Sequence, residues 1–361
     1  MDILQKPIKG KHREVKYSDV YDMANLELAV KNAKRKKERR QGVRMFNKDP
    51  VGNLNKIQEQ LINKTYHTSK GMEAIIRCDS GKERKLHKLP FFPDHIIHHA
   101  LMQVLMPSLI NSLYYESGAS VKNKGIHYAA KRTRRWIDEH KDTKRLYYCK
   151  IDFVKFYENI DQQCIYDFFC HMYRDEGIRY LLKEIITCCE HGLGIGLYPI
   201  QTLTNAYMSK LCRQVCKDFN VKVEIYCDDM VILGLNSKDV WEAVKFIANY
   251  AVETMHQNIH DNYSVQIIDN NHFLDFVGYK FYINHTLLRT RMKKKFVKKM
   301  NKLKNEDKIF KSAMSYKGWL QHCDGHTLWQ KYAPFEIIEK KKSKKKHKYK
   351  YPINEITKKN I

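Results

Sequence analysis

Three aspartates beside short apolar segments are the residues of this chain best suited to chemistry. Asp228 and Asp229 are adjacent and lie between two apolar segments, which predicts a β-hairpin with both carboxylates at its tip. Asp152 directly follows a third segment of strand character, residues 145–151. An adjacent Asp pair is by itself more often a polar turn, because aspartate favours turns through local hydrogen bonds. Two carboxylates so close resist joint ionisation unless a cation lies between them, so the rest of the chain decides their role.

Carboxylates from separate strands can perform phosphoryl transfer when they converge on two cations about 3.5–4 Å apart. One cation lowers the pKa of the attacking hydroxyl, and the other stabilises the triphosphate and the leaving pyrophosphate. Mg²⁺ prefers a few carboxylates together with substrate phosphates, and this set supplies them. If Asp152, Asp228 and Asp229 converge in this way, they would hold two Mg²⁺ ions, with Mn²⁺ possible.

The charge of the chain predicts a polyanionic partner. Its 361 residues contain 66 Lys and Arg against 40 Asp and Glu, a formal net charge of +26. Nucleic acid is the first candidate and an anionic membrane the rival, but no apolar run reaches the length of a spanning helix. Residues 1–12 lack the apolar core of a secretion signal, and the ten Cys show no CxxC or zinc-type spacing. We expect a cytoplasmic protein with reduced thiols and no membrane partner.

Hydrophobic periodicity and turn residues predict the elements that must position the acids. Residues 73–89 alternate around Asp79-Ser80-Gly81 and predict a β-hairpin, and strands are also predicted around residues 274–279. Helices are predicted over 21–40, 53–62, 93–110, 131–136, 161–170, 177–190, 202–217, 237–255 and 292–304, with a further helical stretch carrying Trp319 and Trp329. The Lys-rich segment 340–350 is predicted to be disordered without its partner.

Several segments, in this order, resemble the motifs of reverse transcriptases. Residues 150–161 resemble motif A, residues 194–207 motif B, and Tyr226-Cys227-Asp228-Asp229 matches the Tyr-x-Asp-Asp of motif C. Residues 274–279 look like the primer-grip hairpin, and residues 85–101 are similar to a fingers segment. The resemblance implies an α+β right-hand polymerase fold with fingers, a palm with an antiparallel sheet and a helical thumb, without an RNase H domain. The implied division is 1–60 basic N-terminal helical extension, 61–145 fingers, 146–284 palm with a fingers insertion, 285–335 thumb and 336–361 Lys-rich tail.

The resemblance also implies roles for individual residues. Asp152, Asp228 and Asp229 match the catalytic metal ligands, and Phe153 would lend a backbone carbonyl to a metal. Tyr157 matches the aromatic gate that excludes a 2′-hydroxyl, with core packing as the alternative. The remaining implied contacts are Arg84, Lys85, Tyr157, Ile195, Gly196 and Gln201 for the nucleotide and Tyr226, Cys227, Phe276, Gly278 and Tyr279 for the primer. For Lys85 the alternative is a solvated basic strand.

Basic segments predict where RNA binds. A solvated helix face is the alternative for such a segment, so the total charge of the chain is what favours a phosphate contact. The candidate contacts are Lys34, Arg35, Lys131, Arg132, Arg134, Arg135, Lys294 and Lys298.

Motif B indicates a branch of the family. The order Ile195-Gly196-x-x-x-Ile200-Gln201 resembles the Ile-Gly-x-x-x-Ser-Gln of diversity-generating retroelement reverse transcriptases, with Ile200 where Ser is expected. Residues 315–323 also look like a thumb segment of that group, with Trp319 in place of its first His. The Lys expected in motif D has no clear match, although His260 lies near that position.

These resemblances imply an RNA-directed DNA polymerase that makes cDNA on a structured RNA, as in error-prone mutagenic retrohoming. One alternative is a defence-associated reverse transcriptase that uses a dedicated non-coding RNA, and another is a non-catalytic RNA-binding protein of polymerase shape. The implied partners are a structured template or non-coding RNA, dNTPs, the cDNA product and either a small basic accessory protein or further copies of the chain. The implied origin is bacterial or phage-encoded.

Overall fold

The computed structural model describes residues 15–77 and 83–349. The basic segment 1–12, the predicted turn 79–81 and residues 350–361 of the predicted tail lie outside the described residues. The chain divides into two compact units, one formed by residues up to 125 with 147–266, the other by 126–146 with residues from 267 onward. The predicted boundaries of fingers, palm and thumb stay predictions.

The chain combines groups of helices with antiparallel strand pairs, which agrees with the predicted α+β class. The helices are α1 Tyr17–Tyr21, α2 Met23–Lys34, α3 Gln41–Phe46, α4 Pro50–Ile62, α5 Ile96–Ser112, α6 Ile126–His140, α7 Phe156–Asn159, α8 Gln162–Met172, α9 Glu176–Ile186, α10 Ile200–Asp218, α11 Ser237–Met255, α12 Thr290–Lys302, α13 Glu306–Leu320, α14 His326–Tyr332 and α15 Phe335–Tyr349. The strands are β1 Met72–Arg77, β2 Glu83–Lys88, β3 Leu146–Ile151, β4 Val221–Tyr226, β5 Asp229–Gly234, β6 Gln266–Ile268, β7 Leu274–Phe276, β8 Tyr279–Phe281 and β9 Thr286–Leu288. None of the helices described is long and apolar enough to cross a membrane.

In the first unit, local capping and an apolar stripe explain why the helices begin where they do. The Asp175 carboxylate accepts hydrogen bonds from the backbone N–H groups of Gly177 and Ile178, at 2.8 and 3.1 Å, and so caps α9. The apolar face of this helix is fully buried. Burial of each such Leu or Ile side chain stabilises the fold by about 1.5–3 kcal/mol. The N-terminal cap and the buried apolar face therefore both stabilise α9.

In the first unit, the strands of the central sheet have the order β4-β5-β3. Strand β5 is antiparallel to both of its neighbours. Its residue Asp229 lies opposite Tyr226 of β4, and its residue Met230 lies opposite Ile151 of β3. The middle of β5 is completely buried, which explains its continuous apolar run. A second, two-stranded sheet pairs β1 with β2 from Met72 opposite Lys88 to Arg77 opposite Glu83. The predicted hairpin at 73–89 is confirmed.

The second unit is built around the antiparallel sheet β7-β8-β9. Val277 and Gly278 connect β7 to β8 with positive φ values of 42° and 89°. Tyr279 is fully buried and donates its hydroxyl to the Trp319 carbonyl at 3.0 Å. The predicted strands around 274–279 are therefore present, and they belong to this unit's core.

Two predicted elements differ from the structure. The helix predicted over 21–40 ends at Lys34, and Lys36 adopts a φ of 61° before α3 begins. Residues 340–349, predicted to be disordered without a partner, continue α15. Ile338 of that helix is buried, and Lys340 and Lys341 pair with Glu306 and Asp307 of α13 at 2.9 and 2.6 Å. Packing against α13 therefore replaces the expected disorder.

Candidate active site

The hairpin between β4 and β5 presents its two acids as predicted. Cys227 and Asp228 form the turn, because Tyr226 and Asp229 are the last paired residues of the two strands. Cys227 adopts a φ of 60°, in the left-handed region that non-glycine residues rarely enter. Such strain costs on the order of 1–3 kcal/mol and is concentrated at functional sites. Asp229 is exposed, whereas Asp228 is half-buried.

The pairing of β3 with β5 brings the third acid to the same place. Because Ile151 lies opposite Met230, the next residue, Asp152, lies beside Asp229 at the end of the sheet. The Asp152 carbonyl accepts a hydrogen bond from the His260 N–H at 2.9 Å, so residues 258–260 hold this backbone from the other side. The sheet therefore brings Asp152, Asp228 and Asp229 together at one end, as the resemblance implied.

The carboxylates disturb one another. Burial raises the pKa of Asp228, and the neighbouring charges of Asp229 and Asp152 add to the rise. Hydrogen bonding to backbone N–H and the guanidinium of Arg84 oppose it. A divalent cation between these oxygens would remove the repulsion, so the donor set fits a hard ion such as Mg²⁺.

Phe153, the predicted backbone ligand, directly follows Asp152 in the chain. Its side chain is buried, and Val154 donates its N–H to the Asn258 carbonyl at 2.9 Å. The backbone on either side of Phe153 is therefore held by residues 258–260, and its role as a backbone metal ligand stays a prediction.

Tyr157 lies under the site in a chain of hydrogen bonds. Its hydroxyl donates to Gln201 Oε1 at 2.9 Å, Gln201 Nε2 donates to Asn205 Oδ1 at 3.2 Å, and Asn205 Nδ2 donates to the Ala119 carbonyl at 2.7 Å. Burial raises the pKa of the Tyr157 hydroxyl, and Cys227 and Asp228 raise it further. The predicted gate residue and Gln201 are thus brought to the acids. Asn205 and Ala119 join this hydrogen-bond chain through tertiary contacts, so no local sequence pattern predicts their participation.

A glycine-rich loop, residues 192–196, connects Tyr157 with strand β2. Leu193 donates its N–H to the Tyr157 carbonyl at 2.7 Å, and the Ile195 carbonyl accepts from the His87 N–H at 2.7 Å. Gly196 adopts a φ of 108°, and a Cβ there would lie 3.0 Å from the His87 carbonyl. Ile195 and Gly196 therefore lie between Tyr157 and the β1–β2 hairpin.

Gly192 gives a test of this loop. Its φ is 60°, and a Cβ would lie 2.3 Å from the Glu158 carbonyl and 2.4 Å from that of Tyr157. We expect Gly192→Ala to lower the free energy of unfolding by about 2–4 kcal/mol, because the new methyl group must displace backbone atoms. Gly318→Ala is the matched control, since a Cβ there meets nothing within 4 Å in α13, and the helix gains about 0.5–1 kcal/mol. Chemical denaturation measures both, and equal stability of the two variants would contradict the loop packing.

Of the two basic candidates on β2, one faces the acids. Arg84 acts electrostatically on Asp228 and Cys227, and Leu86 on the same strand face lies near Gly196. Lys85 points to the opposite face, where its Nζ pairs with Glu73 Oε2 at 3.4 Å. The resemblance implied Lys85, with Arg84 beside it, as the triphosphate contact, and the alternation of the strand puts Arg84 rather than Lys85 on the side of the acids.

The predicted primer contacts fall into two groups. Tyr226 and Cys227 are half-buried next to the acids in the first unit. Phe276, Gly278 and Tyr279 belong to the second unit, where the two aromatic rings are fully buried and a Cβ at Gly278 would lie 2.7 Å from the Trp319 ring. Their side chains form the core of that unit, so only the backbone of this hairpin is left for a primer.

The predicted RNA contacts are mostly surface residues. Arg35, Lys131, Arg135, Lys294 and Lys298 are exposed, and Lys34 and Arg132 are partly buried. Arg134 differs, because its guanidinium donates to the carbonyls of Tyr282 and Ile283 at 2.7 Å and pairs with Asp138. These bonds occupy Arg134 within the protein, so it leaves the set of proposed RNA contacts.

Solved structures that are similar to this chain include two of telomerase. One is apo telomerase from Candida tropicalis, with 11% identity and a TM-score of 0.49, covering 73% of this chain and 56% of that one. The other is apo telomerase from the same organism truncated from the C-terminal domain, with 13% identity and a TM-score of 0.45, covering 65% and 59%. This chain thus spans less than two thirds of the length of either. No protein-family model matches the sequence, and the comparison with curated proteins gives no match.

Proposed function

We propose that this protein is a reverse transcriptase that adds deoxynucleotides to a primer end by two-metal catalysis on an RNA template. The observation that carries the proposal is the convergence of Asp152 with Asp228 and Asp229 at the end of one antiparallel sheet. Phosphoryl transfer is the reaction class that such an acid cluster serves. The buried tyrosine beside the cluster favours a polymerase over a nuclease, since a nuclease has no need to inspect a sugar.

Each residue has a part in the proposed reaction. Asp152, Asp228, Asp229 and the Phe153 carbonyl would hold two Mg²⁺ ions, or Mn²⁺ in their place. Bound there, the ions would supply Lewis acidity that lowers the pKa of the primer 3′-hydroxyl and offsets charge on the triphosphate and the leaving pyrophosphate. Arg84 neutralises phosphate charge from the β2 side of the site. The ring of Tyr157 closes the space that a 2′-hydroxyl would need.

The proposed template follows from the net charge of the chain, and the proposed product follows from the sugar gate assigned to Tyr157. A net charge of +26 favours a polyanion, and exposed Lys and Arg side chains on α6 and α12 give it surfaces to contact. We propose a structured RNA as the template and cDNA as the product. For the cellular role we propose mutagenic retrohoming of a diversity-generating element, on the motif B resemblance at Ile195 and Gly196. An anti-phage defence role with a dedicated non-coding RNA is the second proposal.

A non-catalytic RNA-binding protein is the alternative of another class. Such a protein would gain nothing from three clustered carboxylates, because they repel the phosphates that its other charges attract. The strained turn at Cys227 also argues against a merely structural hairpin.

Primer extension tests the proposal. The purified full chain should extend a DNA primer on an RNA template with dNTPs and Mg²⁺, and EDTA should stop the extension. Arg84→Ala should raise the KM for dNTPs by about tenfold or more, because a charge-assisted contact to phosphate is lost. Lys85→Ala, the neighbour on the opposite strand face, should change KM less than about threefold.

Two results would count against the proposal. Absence of extension on every primer-template pair, with RNA binding intact, would favour the non-catalytic alternative. A larger effect of Lys85→Ala than of Arg84→Ala would return the triphosphate contact to Lys85 and contradict the strand face assigned above.

A further inference from the structure

His87 presents a buried nitrogen without a hydrogen-bond partner. It lies on β2, and its Nε2 atom is inaccessible to solvent and unpaired among the described residues. Leaving a buried polar atom unsatisfied costs about 1–3 kcal/mol, so such an atom calls for an explanation. The His87 backbone is fixed, because its N–H donates to the Ile195 carbonyl. The backbone that carries the ring is therefore held in place.

Two cysteine thiols lie next to this nitrogen. Cys188 and Cys189 follow the end of α9, and their Sγ atoms are 3.9 Å apart. These two sulfur atoms and a ring nitrogen of His87 all lie within 4.8 Å of one another. Zn–S bonds of about 2.3 Å at a tetrahedral centre separate two sulfur ligands by about 3.8 Å. The spacing of the thiols is thus already that of two zinc ligands.

The surroundings hold these groups in place. The Cys189 carbonyl accepts a hydrogen bond from Gln162 Nε2 at 2.9 Å, and its Sγ lies 3.0 Å from where a Cβ of Gly194 would be. Glu73 lies directly opposite His87 across the β1–β2 pair and shares its strand face. Its carboxylate pairs with Lys85 on that face, so water is left for the fourth coordination position.

We propose that His87, Cys188 and Cys189 form a second metal site, a thiolate–imidazole site for a Zn²⁺-class ion, distinct from the carboxylate site. Soft thiolate and imidazole ligands select such ions, whereas the aspartate cluster suits Mg²⁺. The metal binds the β1–β2 hairpin to the end of α9, directly behind the loop 192–196. Arg84 is on the opposite face of the same hairpin, so an ion here fixes the strand that carries it over the acids.

Co²⁺ binding tests the site without any measurement of activity. A thiolate bound to Co²⁺ gives a charge-transfer absorption that carboxylate-bound Co²⁺ lacks, so the aspartate cluster does not contribute. The described residues contain another cluster of possible ligands, Asp161, Cys164 and His256. All measurements therefore use a Cys164→Ser/His256→Asn background of the full chain, kept reduced by a phosphine.

We expect about one Co²⁺ per chain with the thiolate band, displaced by Zn²⁺. Cys188→Ser, Cys189→Ser and His87→Gln, each added to the background, should weaken binding at least tenfold or remove the band. Cys170→Ser, a cysteine outside both clusters, should leave band and affinity unchanged. Zn²⁺ should also slow tryptic cleavage at the basic residues of the hairpin, Arg77 and Arg84, and this protection should be lost with Cys189→Ser.

Several results would overturn the proposal. Absence of a thiolate band in the background protein, or a band that survives all three ligand substitutions, would show that the thiols do not bind metal here. Rapid formation of a Cys188–Cys189 disulfide, with no metal uptake after reduction, would make the pair a redox element instead. None of these readouts depends on nucleotide addition, so they stand apart from failure of the proposed polymerase activity.

Discussion

Asp228→Asn is expected to abolish nucleotide addition while leaving the fold intact or more stable. Asp228 is half-buried between Asp229 and Asp152, and burial together with these two charges raises its pKa. The neutral amide removes a metal ligand, so we expect the rate of dNTP incorporation to fall by on the order of 10³-fold or more. It also removes like-charge repulsion, so the free energy of unfolding should rise by about 0.5–1 kcal/mol.

The combination of the two effects is what identifies a functional site. Single-turnover primer extension measures the first and chemical denaturation the second. Asp142→Asn, an exposed acid in the second unit, is the matched control and should change neither property appreciably. Undiminished synthesis by Asp228→Asn would remove the hairpin from catalysis. A large loss of stability would instead make Asp228 a structural turn residue, which is the commoner role of such a pair.

Tyr157→Val is expected to let ribonucleotides into the site. The tyrosine is 8% exposed, packs edge-on against Phe156 at 5.1 Å and donates its hydroxyl to Gln201. Shortening the side chain opens the space proposed to exclude a 2′-hydroxyl. We expect the preference for dNTPs over NTPs, measured as the ratio of kcat/KM values, to fall by about 10–100-fold.

Tyr157→Phe separates the ring from the hydroxyl. It keeps the ring and loses only the bond to Gln201, so the sugar preference should stay while stability falls by about 1 kcal/mol. The Val variant loses more buried area and should be destabilised by about 2–4 kcal/mol, so the comparison is made below its melting transition. If the Val variant rejects ribonucleotides as strongly as the unaltered protein, Tyr157 is a core residue and the gate lies elsewhere.

The sequence alone determined the acids and the elements that carry them. The run of apolar residues around Asp228 and Asp229 predicted their hairpin, and the strand before Asp152 predicted the third acid, because strand and turn signals are local. The β1–β2 hairpin and most helices were predicted for the same reason. The tail was not, since the pairing of Lys340 and Lys341 with α13 brings together residues about 34 positions apart.

Tertiary structure decided which side chains face the acids. Lys85 and Arg84 are neighbours with the same charge, and only the packing of the hairpin puts Arg84 near Asp228 and Lys85 beside Glu73. Arg134 reads as a basic surface residue, yet three backbone carbonyls some 150 positions away bind its guanidinium. His87 is distant in sequence from Cys188 and Cys189, so no spacing rule could group them. Local sequence patterns predict a helix or strand and which of its faces is apolar. The partners of a side chain depend instead on packing between segments far apart in the chain.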